Sequence, residues 1–304
     1  MTAKLSPVSV IGLGVIGASW TALFLARGMD VVAWDPNRTV QANFEDSVRR
    51  SLSHLDELGQ IVKSSGKLSF APTLEEAVSK MQWIQENIPE RVDIKRALYK
   101  EIEQIASKSA VIASSTSSFT WTELSADLEH KARFITAHPF NPPHLMPLVE
   151  IFAADDGIRE RARSFYEAMG RKVVLLRKDA VGHIANRLSS ALWREAIHIV
   201  AEGIADVSDV DAALVNGPGL RWSVIGAHMA YHLGGGNGGI EYYLDHLGPS
   251  QERRWATLGN PRLTSDVCQK LISGIAEEAA GRSIEILETE RDLALISALR
   301  SRRT

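Results

Sequence analysis

Apolar residues follow two different periods along the first 180 residues of the chain. Short β-branched runs, such as the one from Val8 to Ile11, have the composition of buried parallel strands. Between these runs, apolar residues recur every three or four positions, which is the spacing of one face of a helix. The pattern predicts strands at 8–11, 30–34, 82–84, 110–114, 133–136, 147–152 and 172–176, and helices at 15–27, 38–57, 74–80, 92–107, 121–127 and 157–169.

Strands that alternate with helices fold into a doubly wound, mostly parallel sheet. From about residue 182 the helical period dominates, with helices predicted at 183–203, 208–216, 265–280 and 282–300. Gly-rich stretches at 217–219 and 234–239 interrupt this half. We interpret the second as a flexible connection, and the alternative is a loop that closes on a substrate. We therefore predict an α/β protein with one domain over residues 1–180, followed by an all-α domain over residues 181–304.

The first predicted strand runs directly into a glycine-rich turn that suits a dinucleotide. Gly12 allows a tight turn, Gly14 lets the backbone approach a pyrophosphate, and Gly17 lets the next helix pack closely. That helix begins at Val15 and Ile16, where free N–H groups and the positive end of the helix dipole would face the phosphates. The turn, with its flanking strand and helix, predicts a Rossmann-type nucleotide-binding domain.

The end of the second predicted strand indicates which dinucleotide is bound. Asp35 closes this strand and is placed to accept hydrogen bonds from the adenosine ribose hydroxyls. Its charge would repel the 2′-phosphate of NADP, although Arg38 lies nearby. An alternative is that Asp35 only caps the strand end. We predict NAD as the cofactor.

Composition narrows the class of partner. The chain of 304 residues has 45% hydrophobic residues and a net charge of −3 without a basic run, so we expect no nucleic acid partner. No apolar stretch is long enough for a bilayer and no signal peptide precedes the first strand, so we expect no membrane contact. The single cysteine, Cys268, fits a reducing cytoplasm. The nine histidines form no HExxH motif and no Cys/His cluster, so we predict no metal site.

A histidine and a carboxylate flank a rigid turn in the middle of the chain. His138 precedes Asn-Pro-Pro, and Glu150 follows on a predicted buried strand. Histidine is suited to proton transfer near neutral pH, and a carboxylate behind it can fix its tautomer. A core histidine beside a surface turn is the alternative. His144 is the rival base, and we expect it to face solvent because it lacks an acid at a matching spacing.

Several motifs together resemble those of the 3-hydroxyacyl-CoA dehydrogenase superfamily, and the match extends over essentially the whole chain. They are the glycine turn, Ser-Ser-Thr-Ser-Ser at 114–118, His-Pro-Phe-Asn-Pro at 138–142, Glu150, and Ala-Asn-Arg-Leu at 185–188. The resemblance implies that His138 is the general base in oxidation and that Glu150 orients it. It also implies that Ser117 and Asn186 polarise the reacting oxygen.

The same resemblance extends to the cofactor site and to one branch of the superfamily. Glu90 and Lys95 match the pair that contacts the nicotinamide ribose. Further motifs resemble the branch that oxidises L-carnitine to 3-dehydrocarnitine, including Ala-Leu-Trp-Arg-Glu-Ala at 191–196 and Gly-Leu-Arg-Trp-Ser at 219–223. The family further implies a homodimer built through the helical domain.

Carnitine carries a quaternary ammonium and a carboxylate, which need an aromatic face and a guanidinium. Our hypothesis is that Trp222 and a tyrosine such as Tyr231 face the ammonium, and that Arg221 or Arg194 binds the carboxylate. These aromatic residues could instead belong to the core or to a dimer interface. Other readings stay open. They are a dehydrogenase of L-gulonate, 3-hydroxybutyrate or a 3-hydroxyacyl-CoA, a related C=N reductase, and a crystallin-like structural protein that binds NAD.

Overall fold

The computed structural model describes residues 7–62 and 65–302. Its strands are β1 (Val8–Ile11), β2 (Val31–Trp34), β3 (Leu68–Phe70), β4 (Trp83–Glu86), β5 (Val111–Ser114), β6 (Phe134–Pro139), β7 (Leu148–Phe152) and β8 (Lys172–Leu175). The helices between them are α1 (Val15–Ala26), α2 (Gln41–Glu57), α3 (Leu74–Val78), α4 (Val92–Ile105), α5 (Trp121–Leu124) and α6 (Asp156–Ala168). The later helices are α7 (Ala185–Ala201), α8 (Val207–Asn216), α9 (Pro218–Trp222), α10 (Ala227–Gly234), α11 (Gly239–Trp255), α12 (Ser265–Ala279) and α13 (Ile284–Ser301).

The eight strands form one sheet in the order β3-β2-β1-β4-β5-β6-β7-β8. Neighbouring strands are parallel except for β6 and β7, which pair antiparallel. The chain moves outward from β1 to β3 and then returns to β4 on the other side of β1. This reversal opens a crevice at the carboxyl ends of β1 and β4, where doubly wound sheets bind their ligands. The predicted fold class is confirmed.

Aromatic and aliphatic side chains cover both faces of the sheet. On one face, Trp20 of α1 packs against Tyr166 of α6, with ring centroids 5.3 Å apart. On the other face, Tyr99 of α4 packs against Phe134 at 4.9 Å. The two clusters bury both faces of β1, β4 and β5, in which every residue is buried.

The chain divides into two compact units. Residues 1–187 and 290–304 form the first unit, and residues 188–289 form the second. The first unit thus contains the sheet together with the end of α13, where Ile296 is buried with Leu58 and Leu145. The domain boundary expected at residue 180 stays a prediction.

The glycine run of the second unit connects two helices. Helix α10 ends at Gly234 and α11 begins at Gly239, with a single 3-10 turn at Gly236–Gly238 between them. A Cβ placed on Gly235 would lie 1.8 Å from the carbonyl oxygen of Gly239. Glycine is therefore required for the close approach of the two helices, and the expected connection is one short turn whose flexibility stays a prediction. Helices α9, α10 and α11 and the short strand β3 were missing from the predicted elements.

Candidate active site

The glycine turn after β1 has the geometry that its sequence predicts. Gly12 has a φ of +89°, and a Cβ placed there would lie 2.7 Å from the backbone carbon of Asn87. A Cβ on Gly17 would lie 2.1 Å from the carbonyl oxygen of Gly12. Both positions therefore exclude every side chain, because backbone atoms already fill the space.

Gly14 is different, and its surroundings fit a dinucleotide. A Cβ placed on Gly14 would meet no atom of the described chain within 4 Å. Gly14 is the N-cap of α1, so a residue that cannot supply a capping side chain stands where the helix exposes its first N–H groups. Val15, the first residue of the helix, is 71% exposed. This open helix start matches the requirements of an NAD pyrophosphate.

Asp35 follows β2 and is held in place by the backbone of two loops. Its Oδ2 accepts from the Leu13 N–H at 3.0 Å, and its Oδ1 accepts from the Asn37 N–H at 2.8 Å. The Arg38 guanidinium donates to the carbonyl oxygen of Pro72 at 2.7 Å. The carboxylate therefore stands beside the glycine turn, whereas the nearby cation is directed to a backbone carbonyl.

His138 and Glu150 face each other across the antiparallel pair of β6 and β7. The two residues are register partners, and His138 Nδ1 lies 2.9 Å from Glu150 Oε2. The other carboxylate oxygen, Oε1, accepts from the N–H groups of Ile184 and Ala185 at 2.8 and 3.0 Å. Because Oε2 can only accept when ionised, the proton of a neutral His138 belongs on Nδ1, and Nε2 is left with a lone pair.

The hydrogen-bond partners of Glu150 together lower its pKa by more than burial raises it. Burial raises the pKa of a carboxyl group, but hydrogen bonds from His138, Ala185 and Ile184 and the charge of His138 hold the pKa of Glu150 below its ordinary value. The positive end of α7, which begins at Ala185, acts in the same direction. Glu150 is therefore an anion that stabilises a positive charge on His138.

The predicted oxygen donors lie beside His138. The Asn186 amide nitrogen, Nδ2, is 3.4 Å from His138 Nε2 and 3.2 Å from the carbonyl oxygen of Ser117. The structure thus brings Ser117, His138, Glu150 and Asn186 together, although they are spread over 70 residues of sequence. Their chemical roles stay predictions.

Glu90 and Lys95 have partners within the protein that the sequence did not predict. Glu90 Oε1 accepts from the Thr116 hydroxyl at 2.6 Å and from the N–H groups of Ser117 and Ser118 at 2.8 and 2.9 Å. Its Oε2 lies 3.4 Å from Lys95 Nζ. Burial opposes ionisation of Glu90, but these hydrogen bonds and the Lys95 charge lower its pKa. Glu90 therefore anchors the serine-rich loop.

A buried polar cluster below this loop was missed by sequence reasoning. Lys95 is 1% exposed and donates to Glu86 Oε1 at 2.8 Å, and the Ser114 hydroxyl donates to Glu86 Oε2 at 2.9 Å. Tyr99 also donates to Glu86, and burial followed by the Glu86 charge raises the pKa of this phenol well above its usual value. The cluster fixes the end of β4. A strand-terminal glutamate nine residues before a lysine is the only signal that could have indicated it.

His144 is buried, so the expectation that it faces solvent was wrong. Its Nδ1 lies 2.8 Å from the Ser19 hydroxyl and its Nε2 lies 3.1 Å from His54 Nδ1. Burial first, then the charges of His54, Arg171 and Arg291, lower its pKa to about 3. Both ring nitrogens have protein partners, so His144 is not the rival base.

The described side chains enclose a cleft of about 430 Å³ within the first unit. It is lined by the start of α1, the loop after β4, the serine-rich loop and the His-Pro turn. Its polar lining residues are Asn87, Glu90, Lys95, Ser115, Ser117, His138, Asn141 and Asn186. The cleft therefore joins the open helix end to the His138 ring in one cavity. Among the described residues, no cluster of His, Cys, Asp or Glu side chains could hold a metal ion.

The residues proposed for the two charged groups of carnitine lie in the second unit. Arg194 is on α7, Arg221 and Trp222 are on α9, and Tyr231 is on α10. Trp222 and Tyr231 are each 37% exposed, and Tyr231 also packs against Tyr243 with ring centroids 5.1 Å apart. Their contact with substrate stays a prediction.

Comparison with known proteins gives the same classification in both halves. The family profile described as 3-hydroxyacyl-CoA dehydrogenase, NAD binding domain, matches residues 7–180. The profile described as 3-hydroxyacyl-CoA dehydrogenase, C-terminal domain, matches residues 182–275. The protein is therefore an oxidoreductase that uses NAD and acts on a 3-hydroxy compound. The chain belongs to the 3-hydroxyacyl-CoA dehydrogenase family.

Individual relatives match over nearly the full length. The L-carnitine dehydrogenase of Streptomyces griseus is 41% identical over 301 residues, which cover 97% of this chain and 89% of the relative. That of Oceanobacillus iheyensis is 40% identical and covers 96% of both chains. A solved structure, the NAD⁺-dependent dismutase 5-formyl-3-hydroxy-2-methylpyridine 4-carboxylic acid 5-dehydrogenase, has a TM-score of 0.84 and 26% identity, covering 96% of this chain and 97% of that one. Within the ranges 7–62 and 65–302, none of the helices has the length and apolar character of a membrane span.

Proposed function

We propose that this enzyme oxidises the 3-hydroxyl of L-carnitine to give 3-dehydrocarnitine. The observation that carries the mechanism is the His138–Glu150 pair, whose Nδ1–Oε2 distance of 2.9 Å leaves Nε2 available beside the cleft. The similarity to L-carnitine dehydrogenases over 97% of the chain supports the choice of substrate.

His138 takes the hydroxyl proton during oxidation. Nε2 accepts this proton, and the imidazolium that forms is stabilised by Glu150, which keeps its own charge. In the reverse direction the same nitrogen returns the proton to the ketone. General-base assistance of this kind contributes roughly 10²- to 10⁴-fold to a rate.

Ser117 and Asn186 orient the substrate oxygen. The Asn186 amide lies 3.4 Å from His138 Nε2, so its N–H can donate to an oxygen that shares a proton with that nitrogen. The Ser117 hydroxyl donates to Glu90 Oε1 at 3.4 Å, and by turning toward the substrate it would supply a second donor. Two donors stabilise the negative charge that grows on the oxygen as its proton leaves.

NAD, when bound, supplies the nicotinamide carbon that accepts hydride from C3 of the substrate. We assign the pyrophosphate to Gly14, Val15 and Ile16 at the start of α1, and the adenosine ribose to Asp35. We assign the nicotinamide ribose to Glu90, and we assign to Lys95 the role of holding the Glu90 carboxylate, whose Oε2 lies 3.4 Å from Lys95 Nζ. These residues bind and orient, and none of them moves a proton.

The substrate is tested by the rate of NADH formation at alkaline pH with a panel of alcohols. The panel contains L-carnitine, D-carnitine, L-gulonate, L-3-hydroxybutyrate and its CoA thioester. Turnover confined to L-carnitine is the expected result. If another alcohol of the panel is oxidised and L-carnitine is not, the result would be consistent with the His138 mechanism but would exclude L-carnitine as the substrate.

Recognition of the two carnitine charges is tested by alanine substitution. Trp222→Ala and Arg221→Ala should each raise the KM for L-carnitine by about tenfold or more, since each removes a charge-recognising group. Trp255→Ala is the matched control, because Trp255 is a second tryptophan of the same unit and is 62% exposed. Unchanged KM values in both test variants would remove these residues from the substrate site.

We also place the reaction in the cytoplasm and in a homodimer. The lone Cys268 suits a reducing compartment.

A further inference from the structure

One buried histidine of the first unit takes no part in the mechanism above. His183 is 2% exposed and has a φ of +51°, directly after Gly182 with a φ of +73°. Two consecutive left-handed residues thus lead the chain into α7. Residues other than glycine adopt this conformation rarely, and histidine is one of the few that tolerate it. The turn places the His183 ring inside the protein at the edge of the active site.

The His183 ring lies flat against the ring of His138. The two ring centroids are 4.7 Å apart and the planes differ by 23°. His183 Nε2 is 3.4 Å from the Thr136 hydroxyl on β6, two residues before His138. The next two residues, Ile184 and Ala185, donate their N–H groups to Glu150. A single short turn therefore contacts both the face of the His138 ring and the carboxylate at its edge.

The electrostatic surroundings keep this second ring neutral. Burial first, and then the charge of His138, lower the pKa of His183 to about 4, against the opposing effects of Glu150, the Ser117 backbone and Asp179. The ring of His183 thus stays uncharged near neutral and alkaline pH. A charged ring in that position would oppose the positive charge that His138 acquires during oxidation.

We propose that His183 is a positioning residue whose ring holds the plane of the His138 imidazole, so that Nδ1 stays on Glu150 while Nε2 faces the substrate. An imidazole free to turn about its Cβ–Cγ bond would lose the Nδ1 hydrogen bond in most orientations. This inference rests on the proposed role of His138 as the base. It adds a residue that acts on the reaction without touching substrate or cofactor.

Two substitutions distinguish the effect of the His183 ring from the effect of the left-handed backbone at this position. His183→Phe keeps a flat ring against His138 but removes both ring nitrogens. His183→Asn removes the ring but keeps a residue that tolerates the left-handed backbone. If the stacked ring matters, His183→Asn should lower kcat for L-carnitine roughly 10- to 100-fold, as expected for a misplaced catalytic group. His183→Phe should stay within about threefold of wild type, because the ring that restrains His138 remains.

Two binding measurements show that such a loss concerns orientation. The Kd for NADH, measured by fluorescence, and the KM for L-carnitine should stay within about twofold of wild type in both variants, because His183 is assigned to neither binding site. A kcat that is equal in wild type and His183→Asn would overturn the proposal. So would a His183→Phe enzyme that keeps the wild-type melting temperature and NADH affinity but is as slow as His183→Asn.

A spectroscopic test needs no substrate and so remains informative if L-carnitine is not turned over. The proton on His138 Nδ1 should give a downfield ¹H resonance that is protected from exchange by Glu150, and His138→Gln identifies it by its absence. We expect this resonance in wild type and His183→Phe and its loss in His183→Asn. A protected resonance in all three proteins would show that His183 does not hold the ring, whatever the substrate proves to be.

Discussion

Glu150 shows how a single carboxylate determines which nitrogen of His138 can react. One oxygen faces Nδ1, and the other accepts two backbone N–H groups from the start of α7. Every strong contact of the carboxylate is thus formed before substrate arrives. Because Glu150 has a lowered pKa, it remains charged throughout the range in which histidine titrates.

Replacing this charge should affect turnover and leave cofactor binding intact. Glu150→Gln keeps an oxygen that can accept from Ile184 and Ala185, but it removes the charge that stabilises the His138 imidazolium. We expect kcat to fall by about 10²-fold or more. The Kd for NADH, measured by fluorescence quenching, should change little. A large loss of NADH binding with an equal loss of kcat would show that Glu150 has a structural role instead.

Residue types and spacing predicted which residues form the site, but they did not predict which other residues surround them. The glycine turn and Asp35 follow strand ends, where a parallel sheet gathers functional side chains. His138 lies near the end of β6 and faces Glu150 on the antiparallel strand β7. The sequence did not predict that His183 would stack on His138, because that contact depends on a left-handed turn. It also misplaced His144, whose burial depends on Ser19 and His54, each at least 90 residues away in sequence.

The end of helix α13 belongs to the first unit, where it makes both apolar and polar contacts. Ile296 is 1% exposed and is buried with Leu58 and Leu145. The Arg300 guanidinium donates to the backbone oxygen and the carboxylate of Glu57 at 2.9 and 3.0 Å. Leu145 belongs to the segment that follows the His-Pro turn. The helix therefore supports the loop that carries the edge of the active site.

Truncation of the buried contact should destabilise the protein, whereas truncation of an exposed neighbour should not. Ile296→Ala should lower the free energy of unfolding by about 2–4 kcal/mol, measured by urea titration. Leu293→Ala on the same helix is the control, because Leu293 is 55% exposed. It should change the free energy by less than about 0.5 kcal/mol. Equal effects of the two substitutions would argue against this packing of α13.

Three elements also meet at His144. Its ring contacts Ser19 of α1 and stacks on His54 of α2, and His54 lies 4.0 Å from Asp292 of α13. The folded state keeps His144 neutral, since its pKa falls from 6.5 to about 3. The unfolded chain binds a proton at His144 below pH 6.5, but the folded protein does not. Its contribution to stability is therefore complete above pH 6.5 and is lost progressively as the pH falls toward 3.

Substitution of His144 should reduce the acid sensitivity of the fold. In His144→Gln, the melting temperature should fall less between pH 7 and pH 5 than it does in wild type, because glutamine does not titrate. His130→Gln is the control, since His130 is exposed. Calorimetry at both pH values measures the difference. An unchanged pH dependence in His144→Gln would contradict the buried neutral state.

Element prediction succeeded where the apolar period was long and clear. Helices α1, α2, α4 and α6 each have an apolar face over three or more turns, and β1, β4 and β5 are buried on both sides. Strand β3 has only three half-exposed residues, so it gives almost no signal. Helices α9 to α11 carry glycines at their ends, and α11 contains Pro249, so local propensity favours loops there.

At the scale of the whole molecule, the second unit exposes more apolar surface than an isolated folded chain usually does. Its helices carry large apolar side chains that are more than half exposed, among them Trp193, Leu220, Val224, Leu244 and Ile272. A second copy of the chain would cover such faces through a twofold interface. We therefore expect a homodimer formed through the second unit.

Sedimentation velocity tests this assembly directly. At micromolar concentration the main species should have twice the chain mass of 33.4 kDa. Leu244→Glu, which places a charge on one exposed apolar face, should shift the distribution toward the monomer if that face is part of the interface. A wild-type protein that sediments at the mass of one chain would contradict the dimer.

We propose that His138 is the base in the NAD-dependent oxidation of L-carnitine. The most direct test is NADH formation from L-carnitine and NAD at alkaline pH, measured side by side for wild type and His138→Gln. We expect steady turnover in wild type and a loss of about 10²-fold or more in the variant, with NADH binding unchanged in both. Turnover by His138→Gln close to the wild-type rate would contradict the mechanism. A wild-type enzyme that binds NADH but leaves L-carnitine unoxidised would contradict the substrate.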